Sequence, residues 1–372
     1  MNPSRRLFLL SPLAFPVRSA QPATSPLWLG SKYTREQKSK AIQRGLEFIY
    51  STARKKKNFN AFGVDYLWCF YSISVAALDP KLKELAWKMG QERALLWRIK
   101  NPRVPANPGA NTIIELCFGG YCADSFGLRD TNFKKALQAA AATHPVTAFL
   151  GFDPAKPILT NIPKSCSACK RISPQGSTSC VRCGRPLKMQ DPYAVLCDAL
   201  ITTYSGDRYG VQLGASYADV VKLIPAMRPY RAPNGKDDAG FYNIVYAITH
   251  IVYTLNDYGL YQLDPAWIPQ EFEFLKTHLR QYIEENDPET IGEFLDTLKS
   301  LGLTEQDQLI QHGEEFLLSK QNADGSWGDP KDKDNYNRYH STWTAIGGLL
   351  DYDWRGRRVS FPDALVSLGV RI

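Results

Sequence analysis

Two short motifs carry the most specific chemistry in this chain: Cys166-Ser-Ala-Cys169 and Cys180-Val-Arg-Cys183-Gly184, with ten residues between them. A CxxC turn aims two thiolates at one ion, and the glycine after the second pair permits the tight turn. Four thiolates close a tetrahedral shell and leave no position for substrate, which is the chemistry of structural zinc. Rubredoxin-like iron uses similar turns, and an oxidising compartment would allow two disulfides from the same four residues. Zinc is the expectation. The surrounding stretch Lys164–Lys188 has six basic residues and no acidic one. Those charges are read as solvating a small knuckle and keeping its thiolates ionised, so nucleic acid is not an expected partner. Cys69, Cys117, Cys122 and Cys197 sit among apolar residues and read as core thiols.

Histidine is scarce, with five in 372 residues. His250 lies in Tyr246-x-x-x-His250-x-x-Tyr253-x-x-x-Asp257. A helix running through that stretch would put Tyr246, His250, Tyr253 and Asp257 on one face. Such a face is too polar for a core stripe and suits a cavity wall, with His as base or metal ligand and Tyr as proton donor. His340, next to Tyr339, opens another motif-like helix. The expected catalytic set is His250, His340, Tyr253, Asp257, Tyr339 and Asp324, and a second metal at His250 and His340 is the accompanying expectation. Two hydrogen-bonded structural histidines are the alternative. His278 and His312 fall on charged stretches and read as solvated, while His144 before Pro145 reads as a cap or loop residue. Asp207 beside Arg208 fits either an anion-orienting pair or a surface turn. No phosphate loop, G-x-S-x-G elbow or H-E-x-x-H motif occurs.

Helices must position these residues, because apolar spacing of the helical kind recurs from Tyr33 onward and strand alternation is nearly absent. The first shows a Thr34-x-x-Gln37 capping-box pattern followed by Ile42, Leu46, Ile49 and Ala53. About twelve segments read this way, near 34–55, 62–78, 80–99, 109–126, 131–143, 190–205, 216–225, 239–257, 268–285, 288–300, 304–320 and 338–352. The expected fold is all-α, an α/α toroid of about six helical hairpins over 33–153 and 190–355. A small zinc knuckle is inserted at 154–189, and a tail follows at 356–372. An open solenoid is the structural alternative. Ser4-Arg5-Arg6-Leu7-Phe8, a short apolar centre and Ala20-Gln21-Pro22-Ala23 resemble a twin-arginine export signal over 1–23. A bacterial periplasmic or extracellular location follows as an expectation.

Gln321-Asn322-Ala323-Asp324-Gly325-Ser326-Trp327 resembles the Q-x-x-D-G-x-W motif of squalene–hopene cyclases and protein prenyltransferase β-subunits. The helix opening at Tyr339-His340-Ser341-Thr342-Trp343 resembles the inner helix after that motif. The resemblance implies the toroid, and in the prenyltransferases a Tyr-His at this place supplies a zinc-binding His, which His340 matches. The cyclases' Asp-x-Asp-Asp motif is absent, and the prenyltransferases' Asp-x-Cys ligands are not evident.

A composition of 44% hydrophobic and 22% charged residues excludes wholesale disorder, and net charge of +8 is too mild to argue nucleic-acid binding. No apolar run approaches the roughly 20 residues that span a bilayer. The function expected is a metal-assisted enzyme acting on a lipophilic or prenyl-type substrate in a central cavity. A polysaccharide lyase or hydrolase using a Tyr–His pair, and a non-catalytic binding protein, are the alternatives. The corresponding partner is a small molecule, lipid or glycan.

Overall fold

The computed structural model describes residues 32–156, 159–169, 171, 173–234 and 238–370; the segment expected to be an export signal lies outside them. Among the described residues the chain is all-helical, with fourteen α-helices and no strand. They are α1 (Arg35–Ala53), α2 (Lys56–Ala76), α3 (Pro80–Lys100), α4 (Ala110–Ser125), α5 (Thr131–Ala141), α6 (Val146–Leu150), α7 (Pro192–Tyr209), α8 (Tyr217–Val221), α9 (Ala239–Leu255), α10 (Pro269–Glu285), α11 (Pro288–Ser300), α12 (Gln308–Lys320), α13 (Asn335–Leu349) and α14 (Asp363–Ser367). Each of the twelve expected segments holds a helix. The two extra helices, α6 and α14, have five residues each. So short a helix shows little apolar spacing of its own; α8, equally short, falls in an expected segment that also takes in the residues after it.

The chain divides into two compact units that interleave in sequence. Among the described residues, unit 1 takes in those up to Lys100, Cys122–Leu128 and Leu255–Ser360, and unit 2 those of Asn101–Tyr121, Arg129–Thr254 and from Phe361 onward.

Unit 1 contains α1 to α3 and α10 to α13. The capping box forms as its residues require. The Gln37 N–H donates to Thr34 Oγ1 at 3.2 Å, and the Thr34 N–H donates to Gln37 Oε1 at 2.8 Å. Behind it Ile42, Leu46, Ile49 and Ala53 are all buried. Helices α11 and α13 approach to backbone contact. A Cβ on Gly292 would lie 2.4 Å from the Thr344 carbonyl atoms, so the crossing needs a residue without one. Lys299, from the last turn of α11, secures the end of α13: its Nζ donates to Gly348 O at 2.6 Å and Leu350 O at 3.0 Å. A cation is favourable there because the final carbonyls of a helix carry partial negative charge. Glu314 balances the buried ammonium at 2.6 Å and also reaches Lys38 at 3.3 Å.

Unit 2 contains α5 to α8, most of α4 and α9, and α14. Tyr204 and Tyr217 are fully buried and meet edge to face, with centroids 5.9 Å apart. The Tyr217 hydroxyl donates to Thr254 Oγ1 at 2.8 Å, so its buried polar end is satisfied. The cysteine segment belongs to this unit. Its base is closed by Lys164 N–H to Lys188 O (2.7 Å) and Gln190 N–H to Ile162 O (2.8 Å).

Candidate functional site

The four cysteines of the two CxxC turns come together in unit 2. Sγ of Cys166 lies 3.5 Å from that of Cys183, Cys169 is 3.5 Å from Cys180, and Cys169 is 3.7 Å from Cys183. All four lie within 4.8 Å of one another, and none is in a disulfide. A tetrahedron with metal–sulfur bonds of about 2.3 Å has sulfur–sulfur edges of roughly 3.8 Å, so this spacing suits one ion at the centre. Backbone N–H groups of the turns point at the sulfurs. That of Arg182 is the chief cause pushing the Cys180 thiol down to about 6, and those of Cys169 and Ala168 push Cys166 down as well. Those two are thereby favoured as thiolates, whereas Cys183, beside the Cys166 sulfur, is pushed up to about 11. The four residues are close enough to bind a metal ion, as their spacing in the sequence implies.

The Trp loop of unit 1 is a fastening between helices. The Gln321 side chain donates to Ala41 O at 2.8 Å and accepts from Arg44 at 3.1 Å, tying the loop to α1. Asp324 takes the Arg338 guanidinium of α13 at 2.5 Å. Trp327 is fully buried, and its indole N–H donates to Leu317 O at 2.7 Å while its backbone N–H donates to Thr342 Oγ1 at 3.1 Å. Gly325, at φ +88°, lets the loop pass against Arg44; a Cβ there would be 2.6 Å from that residue's carbonyl oxygen. The motif therefore joins α1, α12 and α13, and Asp324 is placed at an ion pair within the loop's anchorage.

One turn into α13, His340 and Tyr339 stand among buried acids. His340 Nδ1 lies 3.0 Å from Glu289 Oε1, off the line of an N–H bond, so the contact is an ion pair rather than a well-aligned hydrogen bond. Ser341 Oγ donates to the other Glu289 oxygen at 2.9 Å. Burial works against a charged imidazole here. The Glu289 carboxylate outweighs it, with Glu293 and Asp65 adding, and pushes His340 up to about 9. The neighbouring carboxylates thus favour the charged form of His340 over the neutral one. The Tyr339 hydroxyl donates to Asp65 Oδ2 at 2.7 Å, and burial pushes its pKa far above the usual phenol range. Rings enclose the pair. Tyr336 stacks on His340 with centroids 5.1 Å apart, Trp343 meets it edge-on at 6.0 Å, and Phe62 lies 5.8 Å from Tyr336 and 5.5 Å from Tyr339. Trp343 and Phe62 are half-buried, whereas Tyr336, Tyr339 and His340 are buried.

The other expected residues fall elsewhere. In unit 2, His250 Nδ1 sits 2.8 Å from Tyr246 O, one turn back on α9, and its ring packs against Tyr246 at 4.2 Å and Tyr253 at 5.4 Å. Asp257 does not continue that face. Helix α9 ends at Leu255, and Asp257, with φ +59°, lies in the left-handed turn beyond it. The helical period thus stops before the fourth residue of the expected row. His250 belongs to unit 2 and His340 to unit 1. Among the described residues, the four cysteines are the group of three or more His, Cys, Asp or Glu gathered tightly enough for a metal ion. His144 caps the end of α5, with Nδ1 3.2 Å from Ala140 O. His278 and His312 are half-buried rather than solvated. Asp207 accepts the Tyr217 N–H at 2.7 Å at the start of α8, which gives it a capping role.

Asp65, Glu289, Glu293 and Tyr336 were not singled out by sequence reasoning. Asp65 does leave a trace, being the lone charge in the apolar run Phe62-Gly-Val-Asp65-Tyr-Leu-Trp-Cys-Phe70. The two glutamates stand on a helix with ordinary polar positions and show no such signal. No family model, curated protein or solved structure matches the chain.

Proposed function

We propose that the chain is an exported α/α-toroid enzyme that acts on a lipophilic, prenyl-type substrate by proton donation, with a closed structural zinc centre in its cysteine knuckle. The observation that carries the enzymatic reading is the buried contact of His340 with Glu289, 3.0 Å apart, walled by Tyr336, Trp343 and Phe62, with Glu289, Glu293 and Asp65 all favouring a protonated ring. An imidazolium can protonate an oxygen leaving group as a carbon–oxygen bond breaks. Aromatic faces and buried carboxylates together stabilise the positive charge that develops on carbon. The reading of the Trp loop as cyclase-like or prenyltransferase-like accords with this chemistry.

A lyase mechanism asks for a neutral base, which a histidine held at about 9 does not provide at neutral pH. A second metal at His250 and His340 has less support, because Glu289 already occupies the Nδ1 side of His340 and the two histidines belong to different units. For the knuckle, the closed set of four sulfurs supports zinc over a catalytic metal.

The test is turnover of prenyl alcohols and prenyl diphosphates by the purified chain, with His340→Gln alongside. Turnover that falls by about 10²–10⁴ in the variant, with the helical circular dichroism retained, is the expected result. A wild-type chain that converts none of these compounds, or a variant as active as wild type, refutes the reading. Metal analysis decides zinc against iron in the same preparation.

A further inference from the structure

We propose that the exposed face of the cysteine knuckle docks the protein onto an anionic lipid surface; the proposal rests on the metal-bound reading of the four thiolates. The knuckle is a local repeat, Cys166-Ser-Ala-Cys169-Lys170-Arg171 followed by Cys180-Val-Arg-Cys183-Gly184-Arg185. The Cys166 N–H donates to Arg171 O at 3.0 Å, and the Cys180 N–H donates to Arg185 O at 2.8 Å. Arg171 and Arg185 therefore occupy the same place in the two turns. The sulfurs join those turns, and the Val181 N–H donates to Ser173 Oγ at 3.3 Å between them. The two joined turns present both arginines.

Around them Lys164, Arg182 and Lys188 are exposed, as are Arg171 and Arg185, and none of the five pairs with a carboxylate among the described residues. Lys170 adds a sixth positive charge in the sequence, and no acid occurs from Lys164 to Lys188. A divalent ion with four thiolates carries net charge of about −2, which leaves the segment at about +4. Next to Arg182 the apolar side chain of Val181 is 62% exposed.

The character of this face selects among anionic partners. Single-stranded nucleic acid is held by aromatic stacking, and Lys164–Lys188 contains no aromatic residue. Duplex grooves admit a helix or a two-stranded ribbon, and the described residues of this segment form no helix and no named strand. A protein partner needs a buried aromatic or large apolar anchor, and one valine is a small one. A lipid surface asks only for point charges within a Debye length and a shallow apolar tip. Each Lys or Arg near such a surface adds about fivefold to the partition coefficient.

The experiment is co-sedimentation of the full metal-loaded protein with vesicles at 0.1 M salt. One set contains phosphatidylcholine with phosphatidylserine at 7:3, and the other phosphatidylcholine alone. Binding to the first set only, lowered on the order of 25-fold by Arg182→Gln with Arg185→Gln, is the expected result. Bound zinc and helical circular dichroism should match wild type in that variant. Equal partition into both vesicles, an unchanged variant, or binding to a 30-mer oligonucleotide but to neither vesicle overturns the proposal. Failure of the metal reading shows separately, as wild-type protein that carries no metal.

Discussion

Glu289 Oε1 stands 3.0 Å from His340 Nδ1, and about nine-tenths of each side chain is removed from solvent. The contact joins the first turn of α11 to the first half of α13, the two helices whose glycines permit backbone approach. Its energetics depend on pH, because the folded pKa of His340 is about 9 and the unfolded value is near the ordinary 6.5.

The sign follows from that order. A histidine whose folded pKa is raised contributes its full stabilisation below the unfolded pKa and loses it as pH climbs through the folded one. Unit 1 should therefore weaken between pH 6.5 and 9, by on the order of 3 kcal/mol at most. Denaturant midpoints measured across that range should fall in wild type and stay level in His340→Gln. A wild-type midpoint that rises through the range refutes the assignment.

Glu289→Gln keeps an acceptor for Ser341 but removes the anion. The imidazole then sheds its proton nearer the ordinary pKa, since only Glu293 and Asp65 remain to hold it. The expected cost is about 1–3 kcal/mol near pH 7, with the alkaline loss of stability shifted to lower pH. Imidazole resonances followed by NMR would show the shift directly.

Tyr339→Phe removes the hydroxyl that donates to buried Asp65 at 2.7 Å. A carboxylate deprived of a buried donor costs about 1–3 kcal/mol, more than the lost bond alone. Equilibrium unfolding should register that loss; a neutral substitution would mean that the Asp65–Tyr339 contact carries little energy.

Gly292→Ala places a methyl 2.4 Å from the Thr344 carbonyl, inside any allowed contact, so α11 and α13 must separate. Overpacking of this kind typically costs about 1–3 kcal/mol, and backbone on both sides puts this case at the upper end. The same change at Gly302, where a Cβ would meet nothing within 4 Å, adds no clash. Its φ of +95° still makes it strained, so the comparison separates crowding from conformation.

Cys166→Ser with Cys180→Ser removes one ligand from each turn. Bound metal should fall from one equivalent to none, and the knuckle should become protease-sensitive, because two remaining thiolates cannot close a tetrahedron. Helical circular dichroism should change little, since the described residues of the cysteine segment contribute no helix. Metal retained at one equivalent would mean a different ligand set.

The sequence by itself was enough for twelve of the fourteen helices and for the four-cysteine group. Apolar spacing is a local property, so α1 shows in Thr34, Gln37, Ile42, Leu46 and Ile49 without reference to anything distant. A pair of CxxC turns is equally local: each fixes two sulfurs within four residues, and only the meeting of two turns across a ten-residue gap is left to folding. The Trp loop was legible only as a motif, not as a fastening, because Ala41 and Arg44, which Gln321 ties to, lie about 280 residues away in the chain.

Tertiary structure decided what surrounds His340. Glu289 is 51 residues away and Asp65 is 275 residues away, as their positions in the sequence give. Neither spacing carries a signal, because contacts between helices depend on how faces are turned toward one another and not on chain separation. Whether a histidine is a base or an acid is set by the charges brought to it, and those charges arrived on α2 and α11. Asp257 shows the opposite case. Its i, i+4 place relative to Tyr253 looked like a shared face, but a helical period holds only while the backbone stays helical, and the chain turned left-handed two residues after α9 ended.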